Sequence, residues 1–187
     1  LEVTDEEKEI IKGFFLITSK PVLYVANVSE EDLLSGNMEN DYVKAVREYA
    51  NKENSEVAVI SAKIEEELST LEEEEKAEML KEYGIEEPGL NKLIHSSYKL
   101  LGLLSFLTAG SDEVRAWTVK QGTKAPQAAG KIHTDMERGF IRAEVISYDK
   151  LIECGSEVAA KEKGFYRLEG KDYIMQDGDI VMFRFNV

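Results

Sequence analysis

The chain has 187 residues, 43% of them hydrophobic, and a formal net charge of −14 at pH 7. That length can bury a core and falls between one domain and two, while no apolar run reaches the roughly 18 residues of a membrane-spanning helix. The single cysteine, Cys154, excludes an internal disulfide framework and a cysteine-rich zinc site, and the acidic start LEVTDEEKEI is unlike a signal or transit peptide, so a soluble cytoplasmic protein is expected, with no membrane partner.

The charge is unevenly spread. Residues 1–102 carry 24 Asp and Glu against 11 Lys and Arg, and residues 103–187 carry 13 against 12. This break predicts two domains, 1–102 and 103–187. An acidic first domain repels nucleic acid over most of its surface, and DNA is not an expected partner. A basic face could come only from the second, through Arg115, Lys120, Lys124, Lys131, Arg138 and Arg142.

In chain order, Thr4 with Glu7 three residues on reads as a capping box. Ile10, Ile11, Phe14 and Phe15 then follow at helical spacing, so residues 5–17 are expected as an amphipathic helix ended by Lys20-Pro21. VLYVA at 22–26 is a short apolar run that fits a buried parallel strand. A loop through Glu30, Glu31, Asp32, Gly36 and Asn37 leads to a helix capped by Asp41 and running to about Glu53. EVAVI at 56–60 repeats the strand pattern, making βαβα. An acidic helix over 65–83 and a helix from Pro88 to about Leu101 complete the first half, with Gly102 as the hinge.

In the second half, strands at 104–108 and 113–119 are joined by the hairpin loop Ala109–Asp112. A helix over 127–138 follows, rich in small residues (Ala128, Ala129, Gly130) that let it lie close to a sheet and stopped by Gly139. A strand over 140–146, short helices at 148–154 and 157–163, edge strands at 166–168 and 173–175, and a turn at Asp177-Gly178 into a strand at 180–185 end the chain. The second half reads as a sheet grasping one helix.

Two short motifs sit at the carboxyl ends of the first two strands, where open α/β sheets place ligands. Asn27-Val28-Ser29-Glu30 follows the first strand and Ser61-Ala62-Lys63 the second. GTP-binding proteins place Asn-Lys-x-Asp and Ser-Ala-Lys at these points, and the two loops together hold the purine. Here Val28 replaces the lysine and Glu30, a longer acid, replaces the aspartate that accepts from the donor edge of guanine. An Asn amide such as Asn27 can satisfy the N6 donor and N7 acceptor of adenine. These residues point to ATP over GTP.

A family resemblance runs through both halves. EVRAWTV at 113–119, Gly122, Thr123, APQAAGKIHTDMERGFIRA from Ala125 and DGDIVMFRFNV at the C-terminus resemble the TGS domain of the YchF/Obg-like ATPase family. PVLYVANVSE at 21–30 and EPGLNKLIHSSYKLL at 87–101 resemble the same family upstream. The resemblance implies the C-terminal part of a Ras-like P-loop nucleotide-binding domain followed by a β-grasp, ubiquitin-like TGS domain. It also implies ATP as the nucleotide, with Asn27, Val28, Glu30 and Ser61, Ala62, Lys63 at the base, and contact with RNA or the ribosome.

Phosphoryl transfer needs a phosphate cradle, a magnesium ligand and a positioned water. No G-x-x-x-x-G-K-[ST] occurs: the Gly-Lys pairs are Gly130-Lys131, followed by Ile132, and Gly170-Lys171, followed by Asp172. Mg2+ is therefore expected only with an N-terminal half preceding Leu1, and a truncated chain that does not hydrolyse ATP by itself is the expectation. His133, with His95 the only other histidine, is more readily a packing or capping residue than a catalytic or metal-binding one. Trp117 and Phe140 fit a core, and Cys154 fits a small, partly buried residue. The alternative to a nucleotide-binding portion is a stand-alone β-grasp module that binds RNA or protein and uses no nucleotide.

Overall fold

The computed structural model describes residues 3–110 and 113–186. It divides into two compact units, Leu1–Leu100 and Leu101–Val187. No helix among the described residues is long and apolar enough to cross a membrane.

The first unit opens with α1 (Asp5–Lys12), capped as expected by Thr4 and Glu7. It stops at Gly13, short of the predicted end, and Phe15 takes a left-handed φ of 51°. An isolated helix of this length is marginal unless its apolar face is packed; here Phe14 and Phe15 are 66% and 80% exposed, so nothing sustains it. Strand β1 (Leu23–Asn27) leads into α2 (Glu30–Leu34), a helical turn where a loop was expected. α3 (Asp41–Lys52) is capped by Asn40, whose side chain accepts from the Val43 N–H, rather than by Asp41. β2 (Glu56–Ile60) pairs parallel with β1, placing Asn27 beside Ile60 at their carboxyl ends.

The predicted acidic helix is two helices, α4 (Ala62–Ser69) and α5 (Glu73–Glu82). The Thr70 hydroxyl turns back to the Glu67 carbonyl, and the Glu75 side chain accepts from the Glu72 N–H, so α5 carries its own start. Such capping competes with helix continuation. α6 (Gly89–Leu100) completes the unit. Val28, Val43 and Val59 are buried together, with Ala26, Leu33, Met38 and Val57 against them. α3 and α6 both pack on the two-stranded sheet.

The second unit is built on β3 (Leu103–Ala109) and β4 (Val114–Lys120), an antiparallel hairpin. Of its predicted loop, Ser111 and Asp112 lie outside the described residues. α7 (Ala125–Ile132) and α8 (Thr134–Arg138) replace the single helix expected over 127–138. The break is at His133, whose extended backbone ends α7 while its Nδ1 accepts from the Asp135 N–H at 3.2 Å and caps α8. β5 (Phe140–Ser147), α9 (Tyr148–Cys154), α10 (Glu157–Glu162), β6 (Arg167–Glu169) and β7 (Asp179–Phe185) follow. The segment 173–175, expected as an edge strand, makes one isolated bridge, Lys124 to Ile174.

The five strands form one mixed sheet in the order β4-β3-β7-β5-β6, with β3 and β7 parallel and the other pairings antiparallel. Ala125, Ala128 and Ala129 are fully buried and bring α7 onto the core of Leu104, Phe106, Val119, Phe140, Val145 and Phe183. The Phe183 ring meets Phe106 and Phe140 edge-on, with centroids 6.0 Å apart in each pair, a favoured aromatic geometry.

Candidate functional site

The loops at the carboxyl ends of β1 and β2 are tied together. The Asn27 carboxamide oxygen accepts from the Ala62 N–H at 2.9 Å, and the Val28 N–H donates to the Ile60 carbonyl at 2.8 Å. Parallel pairing creates this neighbourhood, since both strands must end at one edge. Asn27 and Ala62 are therefore in direct contact, and Asn27 keeps its Nδ2 as a donor. Val28 is placed differently: its side chain is 7% exposed and belongs to the core, so only its backbone can face a ligand.

Glu30 begins α2, and its carboxylate forms an ion pair with the Lys63 ammonium. Lys63 also lies 3.9 Å from Glu67. The hydrogen bond and charge of Glu30 raise the Lys63 pKa above the ordinary lysine range. Ser61 is buried at 2% exposure, with a hydroxyl that has no hydrogen-bond partner among the described residues. It lines a cavity of about 350 Å³ whose wall includes Leu33, Met38, Ile60, Glu65, Tyr83 and Ile85. Asn27, Ala62, Lys63 and Glu30 thus share one edge, while Ser61 is buried in the wall of the cavity.

Two residues that sequence reasoning missed organise this region. Asp32 accepts from the Ser29 hydroxyl at 2.9 Å, from Asn37 Nδ2 at 2.9 Å and from Asn40 Nδ2 at 3.3 Å. Ser29 in turn accepts from the Asp32 N–H and caps α2. The Ser-x-x-Asp spacing was a readable capping signal. Glu65 receives the Gly89 and Leu90 N–H groups at 2.7 and 3.0 Å, a carboxylate on the positive end of α6. No local pattern announces it, because its partners lie 24 and 25 residues away.

The six cations expected to form a basic face are all exposed and are spread over several elements. Arg115 and Lys120 are both on β4, five residues apart and so on opposite faces of the strand. The Arg115 guanidinium stacks 4.3 Å from the Trp117 ring centre. Lys124 pairs with Asp172 at 2.7 Å. Lys131 ends α7, Arg138 ends α8, and Arg142 is on β5, which is not adjacent to β4 in the sheet. No group of three or more His, Cys, Asp or Glu among the described residues is placed to hold a metal ion.

Comparison with known proteins gives this geometry a family. Residues 103–186 match the family model YchF-GTPase_C, described as "Protein of unknown function (DUF933)". The "Ribosome-binding ATPase YchF" of Bacillus subtilis is 54% identical over 187 residues, covering 100% of this chain and 51% of the relative. The "Obg-like ATPase 1" of Gallus gallus is 45% identical over 184 residues, covering 97% of this chain and 46% of the relative. The solved structure of the Schizosaccharomyces pombe YchF GTPase superposes with a TM-score of 0.82 at 37% identity, covering 98% of this chain and 48% of its own. The chain spans about half the length of the curated relatives it matches. It belongs to the YchF/Obg-like ATPase family, as the portion that carries the family's C-terminal domain.

Proposed function

We propose that the first unit is the base-recognition end of a Ras-like nucleotide-binding domain that prefers ATP to GTP, and that the second is a β-grasp TGS domain that contacts the ribosome or its RNA in the cytoplasm. The observation that carries the first part is the bond between Asn27 and the Ala62 N–H. It locks together the two loops that a purine would need in one place. Asn27 Nδ2, the backbone at Val28 and the Ala62–Lys63 turn are then the groups that meet the base, with Ser61 and Glu30 supporting them. The relatives' names, "Ribosome-binding ATPase YchF" and "Obg-like ATPase 1", support both the nucleotide and the ribosome. The mixed sheet clasping α7 supports the β-grasp reading. Phosphate and Mg2+ handling is assigned to the half of the relatives that this chain does not span.

Titration of the chain with a fluorescent ATP analogue tests the site. Saturable binding that weakens at least tenfold in Asn27→Ala is expected. Absence of saturable binding would instead favour a module that uses no nucleotide. Phosphate release above a buffer control, abolished by Asn27→Ala, would overturn the assignment of hydrolysis to the other half.

A further inference from the structure

We propose that Lys63 determines which purine the site accepts, by holding the Glu30 carboxylate and so withholding it from guanine. The inference rests on the nucleotide reading above and concerns the choice of base within it.

Asn27 makes that choice only in part. Its oxygen already accepts from the Ala62 N–H, which leaves one lone pair for the adenine N6 amino group, while Nδ2 remains for a purine N7, an acceptor that adenine and guanine share. Further discrimination comes from the opposite edge of the base. Guanine presents two adjacent donors there, N1–H and the N2 amino group. Adenine presents an amino donor beside the N1 acceptor. An ionised carboxylate only accepts, and through two oxygens, so a free acid three residues after Asn27 is a guanine selector.

Glu30 is such an acid by position but is not free. Its side chain is 30% exposed and bound to the Lys63 ammonium, which comes from the first turn of α4, 33 residues along the chain. Glu67, at 3.9 Å, is the only other carboxylate within ion-pair reach of that ammonium among the described residues. To accept from guanine, Glu30 must first break the pair, and the ammonium beside it repels the donor edge. Adenine asks nothing of Glu30. The clasp therefore penalises guanine and leaves adenine untouched, which is specificity by cost to the wrong ligand.

The test compares fluorescent ATP and GTP analogues on the 187-residue chain, Lys63→Met, and the Lys63→Met/Glu30→Ala double variant. Methionine keeps the apolar stem and removes the charge, at a position whose side chain is 63% exposed, where substitutions rarely unfold a protein; circular dichroism checks the fold, with Lys63→Gln as the second variant. The ratio of ATP to GTP affinity should fall at least tenfold in Lys63→Met and recover in the double variant, because the freed carboxylate is then gone. Preferential ATP binding with an unchanged ratio in Lys63→Met would overturn the clasp and leave the nucleotide reading intact. No saturable binding of either analogue by the unmodified chain would overturn both.

Discussion

Gly139 shows how a single hydrogen can decide a local fold. A Cβ built there would lie 1.9 Å from the Asn186 carbonyl oxygen, and the Asn186 N–H donates to the Gly139 carbonyl at 2.9 Å. The obstacle is backbone on both sides, so no side chain can swing away. Gly139→Ala should cost about 1–3 kcal/mol by overpacking, read as a lower urea midpoint by the fluorescence of Trp117, the only tryptophan. Tyr173 carries a pH dependence. Burial, and then the hydrogen bond its hydroxyl donates to Asp179 at 2.7 Å, push its pKa above the ordinary phenol value of 10.0. A group whose pKa rises on folding stabilises the fold fully below the unfolded pKa and loses that contribution as pH climbs toward the folded one. The melting temperature should therefore drop above pH 10, with a shallower alkaline slope in Tyr173→Phe. Tyr24, pushed up to about 12 by its hydrogen bond to Glu53, should also ionise late in an absorbance titration, and Tyr24→Phe should shrink the late phase while the contribution of Tyr173 remains.

At the scale of elements, the first unit depends on carboxylates placed where backbone donors are orphaned. A helix leaves its first N–H groups without internal partners, and Glu65 of α4 supplies them to α6 across 24 residues of chain. Gly89 is tightly placed for the same reason, since a Cβ there would sit 2.9 Å from Glu65 Oε1 and 2.9 Å from Ile60 Cγ2. Glu65→Ala should destabilise the unit by about 1 kcal/mol, the usual cost of a lost cap, and hydrogen exchange at Gly89 and Leu90 should accelerate ahead of the helix centre. An unchanged exchange pattern would mean that α6 is held by packing alone. The break at His133 has the same logic: one side chain caps α8 at the cost of continuing α7.

For the whole molecule, charge divides the chain more sharply than hydrophobicity does. The first 102 residues carry 24 acids against 11 bases, so the first unit repels a polyanion over most of its surface. In the second unit the six cations expected as a basic face are exposed and spread over several elements, and Lys124 already pairs with Asp172. A dispersed footprint touches phosphate without reading sequence, and its affinity falls with salt in proportion to the phosphates neutralised. Co-sedimentation with ribosomes should fall steeply as salt rises from about 50 to 200 mM, and replacing Arg115, Lys120 and Arg142 by Gln should flatten that dependence. Salt-independent pelleting would point to an apolar or protein contact in its place.

The sequence by itself determined the parts that depend on neighbours along the chain. The two apolar runs at 22–26 and 56–60 read as strands, and they pair in parallel, but the burial expected of both holds only for β2: no residue of β1 is buried, and Val22 and Val25 are 44% and 45% exposed. The alanines of APQAAGKI could only lie against a sheet, and all three are fully buried. The motifs also carried the family, because whole stretches such as APQAAGKIHTDMERGF are too specific to arise from composition. Tertiary structure alone decided what depends on distant partners. Periodicity continues through Thr70 and His133, and only the competing caps show that the helices break there. Nothing local says that Glu30 meets Lys63, that Val28 turns inward, or that the Ser61 hydroxyl is buried without a partner among the described residues. Pattern is a property of adjacent residues, whereas an ion pair across 33 residues or a buried side chain exists only once the strands have brought two loops to one edge.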